Sequence, residues 1–109
     1  MSELPEKTCT LDTLITHPRL VQAVLEGRKT HQRRNGVYGY PGERFELDGI
    51  TFEITALERQ RLGDLSEDDA IAEGMPNLDA YKGLIQRMHP NMPWNPNMKV
   101  WLHAFRRVE

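Results

Sequence analysis

The protein has 109 residues, of which 39% are apolar and 28% are charged, and its formal net charge at pH 7 is −2. A chain of this size and composition is typical of one globular domain with a single modest core, which excludes the disordered and fibrous classes. The small net charge excludes a strong overall attraction for polyanions, so affinity for nucleic acid would have to come from a local patch. Cys9 is the only cysteine, which excludes an internal disulfide and a cysteine-rich zinc site.

The sequence contains neither a hydrophobic signal core at its N-terminus nor an apolar run of bilayer length. We therefore expect a cytoplasmic protein with no membrane partner. Residues 1–9 are polar and interrupted by Pro5, which predicts a loose N-terminal arm, and residues 10–109 are expected to form the single domain. The four histidines have no metal-ligand spacing, so we predict no metal and no other cofactor.

The first predicted helix begins at Thr16 or His17, either of which can cap it, and has Pro18 in its first turn. Gly27 is expected to end this helix, because glycine accepts the left-handed backbone conformation at little cost. The basic segment that follows is therefore expected to lie in a turn. Residues 10–15, before the helix, can form a short first strand.

A β-hairpin is predicted from residues 43–47 and 50–61, whose apolar side chains recur at every second position. Asp48-Gly49 between them favours a tight primed turn. Residues 99–108 alternate in the same way and predict a closing strand.

Two helices are predicted between the hairpin and the closing strand. Ser66 begins a capping box that opens a short helix, and Gly74 closes that helix. Asn77 caps a second helix with an apolar stripe along one face. Separated strands with helices between them favour an α+β fold, in which helices pack outside a small sheet or barrel.

The segment from residue 27 to residue 34 is the most basic part of the chain. Its charged side chains, with one histidine among them, are Arg28, Lys29, His31, Arg33 and Arg34. The ordinary explanation of such a cluster is solvated surface charge with a few ion pairs. Two features favour an anion or nucleotide site instead: the segment lies in a predicted turn at a helix end, and Tyr38 and Tyr40 follow it, with rings that can stack on bases.

This segment, Gly27-Arg28-Lys29-Thr30-His31-Gln32-Arg33-Arg34, resembles the G-x-K-x-x-x-x-R signature of the ASCH family, a branch of the PUA-like superfamily. The resemblance continues in order through residues 42–45, 65–75 and 100–105, and covers nearly the whole chain after about residue 14. It implies a PUA-like small mixed β-barrel with flanking helices, in which Lys29 and Arg34 sit at a cleft. ASCH domains are generally associated with RNA, so the resemblance implies RNA or a modified nucleoside as the partner.

One branch of stand-alone bacterial ASCH proteins hydrolyses the linear amide of N(4)-acetylcytidine to give cytidine and acetate. Its functional residues are a lysine, a threonine three positions later, and a glutamate in the first helix after the hairpin. By resemblance the lysine is Lys29 and the glutamate is Glu73, but the threonine position is Gln32. A carboxamide is not a competent nucleophile. Three possibilities follow: Thr30 supplies the hydroxyl, Lys29 and Glu73 activate water, or the activity is absent.

The leading interpretation is therefore a domain that binds RNA or a modified nucleoside at a basic cleft. The residues predicted to contact that ligand are Thr30, Gln32, Arg33, Arg34, Tyr38 and Tyr40. The alternative is a metal-independent amidohydrolase with Lys29 and Glu73 as catalytic residues. A third interpretation, a protein-interaction module with an unknown partner, would require an exposed apolar patch. Trp94 and Trp101 are expected to be packing residues.

Overall fold

A computed structural model describes residues 5–91 and 94–108. Its four strands are β1 (His31–Arg34), β2 (Arg44–Leu47), β3 (Ile50–Arg61) and β4 (Lys99–Arg107). They form one curled antiparallel sheet in the order β1-β4-β3-β2. The helices are α1 (Pro18–Leu25), α2 (Glu67–Ala72) and α3 (Leu78–Met88). This half-barrel sheet with flanking helices confirms the predicted α+β, PUA-like fold class.

The helices begin where the sequence predicts, because each has a side chain that satisfies a free backbone N–H of its first turn. The side chains of His17, Ser66 and Asn77 each accept a hydrogen bond from the first turn of the helix that follows. Gly27 and Gly74 follow the first two helices with φ of 82° and 93°, the left-handed conformation that ends a helix. The three predicted helices are thus confirmed.

The hairpin of β2 and β3 is also confirmed, and its register pairs Leu47 with Ile50. Asp48 and Gly49 form the turn, with φ of 50° and 80°. Positive φ at both central residues is the geometry that matches the right-handed twist of two antiparallel strands. The closing strand β4 then pairs with β3 on one side and with β1 on the other.

Two clusters of buried apolar residues stabilise the fold. The first includes Phe45, Phe52 and Phe105, whose ring centroids are 5.6–6.1 Å apart. The second lies around α2, α3 and the start of β4, and its buried members are Leu62, Leu65, Ala70, Tyr81 and Val100. The cleft described below opens beside this second cluster, because several of its residues line both.

Two local expectations differ from the structure, and a third, the loose N-terminal arm, stays a prediction. Residues 10–15 do not form a strand: a 3-10 turn covers Leu11–Thr13, where a local hydrogen bond from Thr13 N–H to Thr10 O replaces strand pairing. The basic segment is not a turn throughout, because its last four residues pair with β4 as β1. Of the predicted loose arm, residues 1–4 lie outside the described range, whereas the N–H groups of Thr8 and Cys9 donate to Val37 O.

Candidate functional site

A cleft of about 660 Å³ lies between β1, the end of α2, α3 and residues 94–98. Its polar lining includes Lys29, Gln32, Arg34 and Glu73, and its aromatic lining consists of Tyr38, Tyr81 and Trp94. A mostly apolar cleft of this size with a few converging polar groups is the usual form of a small-molecule site.

None of the described helices is long and apolar enough to span a bilayer.

The floor of the cleft forms where the chain entering β1 docks on the end of α2. Lys29 and Glu73 form an isolated antiparallel bridge, and Thr30 N–H donates to Ala72 O at 2.7 Å. Gly74 makes this approach possible, since a Cβ atom there would lie 3.3 Å from the Cβ of Lys29. Two segments more than 40 residues apart in sequence are thereby fixed side by side.

Lys29 and Glu73 belong to a closed network of buried charges. Lys29 Nζ donates to Glu73 Oε1 at 3.1 Å, to Glu73 O at 3.0 Å and to His31 O at 2.7 Å. Arg33 donates from Nη1 to Glu73 Oε2 at 2.9 Å and from Nη2 to Asp69 Oδ1 at 3.1 Å. The side chains of Lys29, Arg33 and Glu73 are at most 4% exposed. With two cations and two carboxylates, the network carries no net charge.

The ionisation of Lys29 follows from this environment. Burial lowers the pKa of Lys29, and the adjacent Glu73 carboxylate acts in the opposite direction. The three acceptors around Nζ match the three N–H bonds of an ammonium group, which has no lone pair to offer. We infer that Lys29 is held in its charged form, in which it cannot accept a proton. Its role is then to hold the Glu73 side chain and the backbone of Glu73 and His31 in place.

Arg33 and Arg28 do not provide the cationic surface that the sequence predicts. The Arg33 side chain is 1% exposed, and its Nε donates to Gln60 Oε1 at 3.0 Å, so all three of its nitrogens are engaged within the protein. Buried in this way, Arg33 has no free surface to offer a phosphate. Arg28 is exposed but paired with Glu26 at 2.6 Å.

Arg34 and Tyr38 lie together at the wall of the cleft. Arg34 donates from Nε and Nη2 to Leu14 O, at 3.1 and 2.7 Å, and its guanidinium lies 5.8 Å from the centre of the Tyr38 ring. The backbone N–H of Tyr38 donates to Nε2 of the fully buried His103 at 3.0 Å. Because burial also lowers the pKa of His103, this imidazole remains a neutral acceptor and fixes the position of Tyr38.

Gln32 is the polar side chain in the cleft whose hydrogen-bonding capacity is least used. It is 6% exposed, its Nε2 makes only a long contact of 3.4 Å to Arg33 O, and its Oε1 has no partner in the described parts of the chain. A buried acceptor without a partner costs about 1–3 kcal/mol. In a cleft, such an acceptor is available to a ligand that brings a hydrogen-bond donor.

Two predicted contact residues are placed elsewhere. Thr30 is exposed and does not line the cleft; its backbone joins α2 and β4 instead. The Tyr40 hydroxyl donates to Pro5 O at 2.8 Å, and Lys7 lies over its ring. Thr30 is therefore not positioned to supply the hydroxyl that is missing at Gln32.

Two residues that the sequence interpretation did not assign to the site line the cleft. Tyr81 lies in the apolar stripe of α3, and burial raises the pKa of its hydroxyl, which stays protonated. Trp94, predicted to pack, borders the cleft and lies 5.4 Å from Lys82 Nζ. The sequence did offer a signal that Tyr81 lies at the cleft, because a tyrosine hydroxyl in a buried apolar stripe needs a polar group or a cleft beside it.

The sequence matches no family model and no curated protein. Among solved structures, it is similar to an ASCH domain from Lactobacillus crispatus JV V101, with a TM-score of 0.64 and 18% identity over 91% of this chain and 79% of that one. It is also similar to protein EF3133 from Enterococcus faecalis V583, which carries the family designation DUF984, with a TM-score of 0.59 and 24% identity over 83% of this chain and 67% of that one. The chain thus has the fold of an ASCH domain.

Proposed function

We propose that the protein binds a nucleobase or nucleoside, free or within RNA, in the cleft beside Lys29 and Glu73. The observation that carries this proposal is the unpartnered carboxamide oxygen of Gln32 in a cleft that also presents the rings of Tyr38, Tyr81 and Trp94. Aromatic faces can stack on any base, and a carboxamide offers an acceptor and a donor side by side to a base edge. The ASCH-domain fold supports the same ligand class through the resemblance described above.

The neutral ion network gives the cleft a particular kind of recognition. Because Lys29 and Arg33 are each bonded to Glu73, they add no free positive charge to its floor. The base of the ligand is therefore recognised by shape, stacking and hydrogen bonds to Gln32. Arg34, at the wall of the cleft, has no carboxylate partner among the described residues and is the cation that remains for a phosphate.

Calorimetric titration with cytidine, adenosine, uridine and N(4)-acetylcytidine tests this proposal. Gln32→Met keeps the volume of the side chain but removes the carboxamide. It is expected to reduce the binding free energy of the tightest-binding nucleoside by about 1–3 kcal/mol, the contribution of one good contact to a base edge. Gln22→Met is the matched control, since Gln22 is exposed on α1 and donates to Glu26. Equal affinity in the parent and the Gln32 variant would exclude the carboxamide as a ligand contact.

Amide hydrolysis of an N(4)-acetylcytidine-like base is the second candidate, and the closeness of Lys29 to Glu73 favours it. Water would add to the acyl carbon, the C–N bond would break, and the departing amine would take a proton. Against it stand the three acceptors around Lys29 Nζ and the exposed position of Thr30, which leave water as the nucleophile. We therefore expect slow turnover or none.

Incubation with N(4)-acetylcytidine followed by chromatography for cytidine decides this point. Gln32→Thr is expected to create or raise turnover, and adding Lys29→Ala should abolish the gain. Brisk turnover by the parent that depends on Lys29 and Glu73 would make hydrolysis the function. A protein-interaction module ranks third, because such a module needs an exposed apolar patch, and Ile71 and Met88 are the only exposed large apolar side chains among the described residues.

A further inference from the structure

A second depression in the surface, which we call the strand-end groove, lies where β3 ends and β4 begins. It has a volume of about 500 Å³, and its charged lining consists of the cations Arg59, Arg61 and Lys99 and the carboxylates Asp64 and Asp69, of which Asp69 is bonded to Arg33. All three cationic side chains are exposed. They lie outside the basic segment of residues 27–34.

The strand register places like charges directly opposite each other in this groove. Arg61 pairs across the strands with Lys99, an arrangement that destabilises a sheet because the two cations repel. Asp64 relieves this only in part: it accepts from Arg61 Nε at 3.2 Å and from Nη2 at 3.1 Å. Within residues 5–91 and 94–108 no carboxylate forms an ion pair with Lys99. Its charge is thus left for a solvent ion or a ligand.

Arg59 adds a second uncompensated cation, held on an aromatic face. It lies opposite Trp101 in the strand register, with the guanidinium 5.2 Å from the centre of the indole ring. Trp101 is half-buried, and the part of the chain that the structure describes provides no carboxylate for Arg59. Cations that follow the phosphate backbone are one component of single-strand binding surfaces, and the indole of Trp101 holds one of them in place.

The groove and the cleft are neighbours. Arg61 and Lys99 line the groove, and the residues that follow them, Leu62 and Val100, line the cleft. Gln60, in the groove, accepts a hydrogen bond from Arg33, whose guanidinium also reaches Glu73 in the floor of the cleft. Arg33, which lines the cleft, and its partners Gln60 and Asp69, which line the groove, thus form a wall between the two, and a single-stranded nucleic acid that bends round this wall can reach both.

We propose that the strand-end groove binds the phosphate backbone of single-stranded RNA, with Arg59 and Lys99 as the phosphate contacts. A nucleoside of the same strand then occupies the cleft, and in that respect the inference rests on the proposed function. The exposed, unpaired cations of the groove then contact phosphates, and the aromatic rings and Gln32 of the cleft contact the base.

The experiment measures fluorescence anisotropy of a labelled single-stranded RNA of about ten nucleotides, in the range of site sizes for single-strand binding domains. It compares the parent with the double variant Arg59→Gln, Lys99→Gln. The control is Arg44→Gln, Arg106→Gln, which removes two equally exposed cations that flank Glu53. Calorimetry with free nucleoside is run on the same three proteins, and circular dichroism confirms that each is folded.

The groove variant is expected to lose affinity for RNA by about tenfold at low salt, and its salt slope should fall by about 1.4, which is two phosphate contacts at 0.7 each. Its nucleoside affinity should stay unchanged, and the control should bind RNA within about twofold of the parent. Equal losses in the two double variants would overturn the proposal, because net charge alone would then explain them. Failure of the parent to bind RNA while it binds nucleoside would also overturn it.

One further outcome separates this proposal from the one on which it rests. If RNA binding depends on Arg59 and Lys99 but no nucleoside binds and Gln32→Met has no effect on RNA affinity, the groove stands and the proposed function of the cleft is wrong.

Discussion

Positive charge occurs in this molecule in two regions with opposite surroundings. Lys29 and Arg33 are buried, and both are bonded to Glu73. Arg59 and Lys99 are exposed, and in the described parts of the chain neither has a carboxylate partner. In the first region the ion pairs hold the chain entering β1 against the end of α2. In the second region the cations remain available to an anionic ligand. Burial, rather than the density of cations in the sequence, decides which charges can meet an anion.

The same comparison explains why the cleft depends on Gln32. Lys29 and Arg33 are neutralised by buried carboxylates, so Arg34 at the wall is the cation left to select a ligand by charge. Selection otherwise depends on the hydrogen-bonding groups that remain. Oε1 of Gln32 is such a group, and it is costly to leave without a donor.

The largest effect is expected from Glu73→Gln, which leaves Lys29 and Arg33 buried with one fewer carboxylate between them. Breaking a buried pair in this way costs about 3–5 kcal/mol, and urea unfolding measures the loss. Combining it with Lys29→Met should restore part of the stability, because Lys29 is the cation left without a carboxylate, whereas Arg33 keeps Asp69. A double variant as unstable as the sum of the two single ones would show that the network is not coupled.

Asp64→Asn is the matched control at the exposed region. Asp64 and Arg61 have side chains 63% and 50% exposed, and an exposed ion pair contributes little to folding. We expect no measurable change in the urea midpoint. A loss comparable to that of the Glu73 variant would remove the distinction between the two regions.

An intermediate effect is expected from Gln60→Ala, because Gln60 lines the strand-end groove but bonds to the buried Arg33. Loss of a hydrogen bond to a charged group should cost about 1.5–2 kcal/mol. Gln22→Ala, which removes an exposed hydrogen bond on α1, should cost nothing measurable. Equal results for the two glutamines would show that Arg33 does not need its third partner.

A smaller effect concerns the pH dependence of stability. Burial lowers the pKa of His103 below its ordinary value of 6.5, so below about pH 6.5 the unfolded chain binds a proton that the folded protein resists. Stability contributed by neutral His103 is present above that pH and is lost as the pH falls through the folded pKa. Thermal unfolding between about pH 7 and 5 should show this decline.

The control for this decline is His103→Gln, whose amide cannot take up the proton in this range. Burial lowers the pKa of His31 too, so the parent and the variant have to be compared rather than the parent inspected alone. The variant should be less stable throughout but lose less stability on acidification. Parallel curves would assign the pH dependence to His31 or to another group.

The smallest effect on stability is expected in the exposed region. Arg59→Gln, Lys99→Gln should leave the midpoint of thermal unfolding unchanged or raise it slightly, because the repulsion between Lys99 and Arg61 is relieved. A clear drop in the midpoint would mean that these cations stabilise the fold, and the loss of RNA affinity would then need another explanation.

Much of the fold was predictable because its signals are local. The caps at Ser66 and Asn77, the turn at Asp48-Gly49 and the stop at Gly27 each depend on a few adjacent residues. The half-barrel and the ASCH fold were likewise predicted through the resemblance. The strand β1 was missed because its pairing partner, β4, lies about 70 residues away and no local pattern marks it.

The cleft was predictable in part. Lys29, Gln32, Arg34 and Glu73 do line one cleft, as the resemblance implied, although their roles remain predictions. Sequence could not show that Arg33 is buried, since its partners lie 27 to 40 positions further along the chain. The strand-end groove was invisible for the same reason: only the register of β3 against β4 brings its cations together.

The strand order has a consequence for self-association. The outer strands, β1 and β2, have four residues each, whereas β3 and β4 lie inside the sheet with twelve and nine. An exposed strand edge is a template on which another chain can add, and short edges with charged side chains discourage such addition. β2 pairs with β3 only over residues 50–53, so along the rest of that edge the charged side chains of β3, among them Glu58, Arg59 and Arg61, discourage such addition. Samples should therefore stay monodisperse at the concentrations that RNA titrations need.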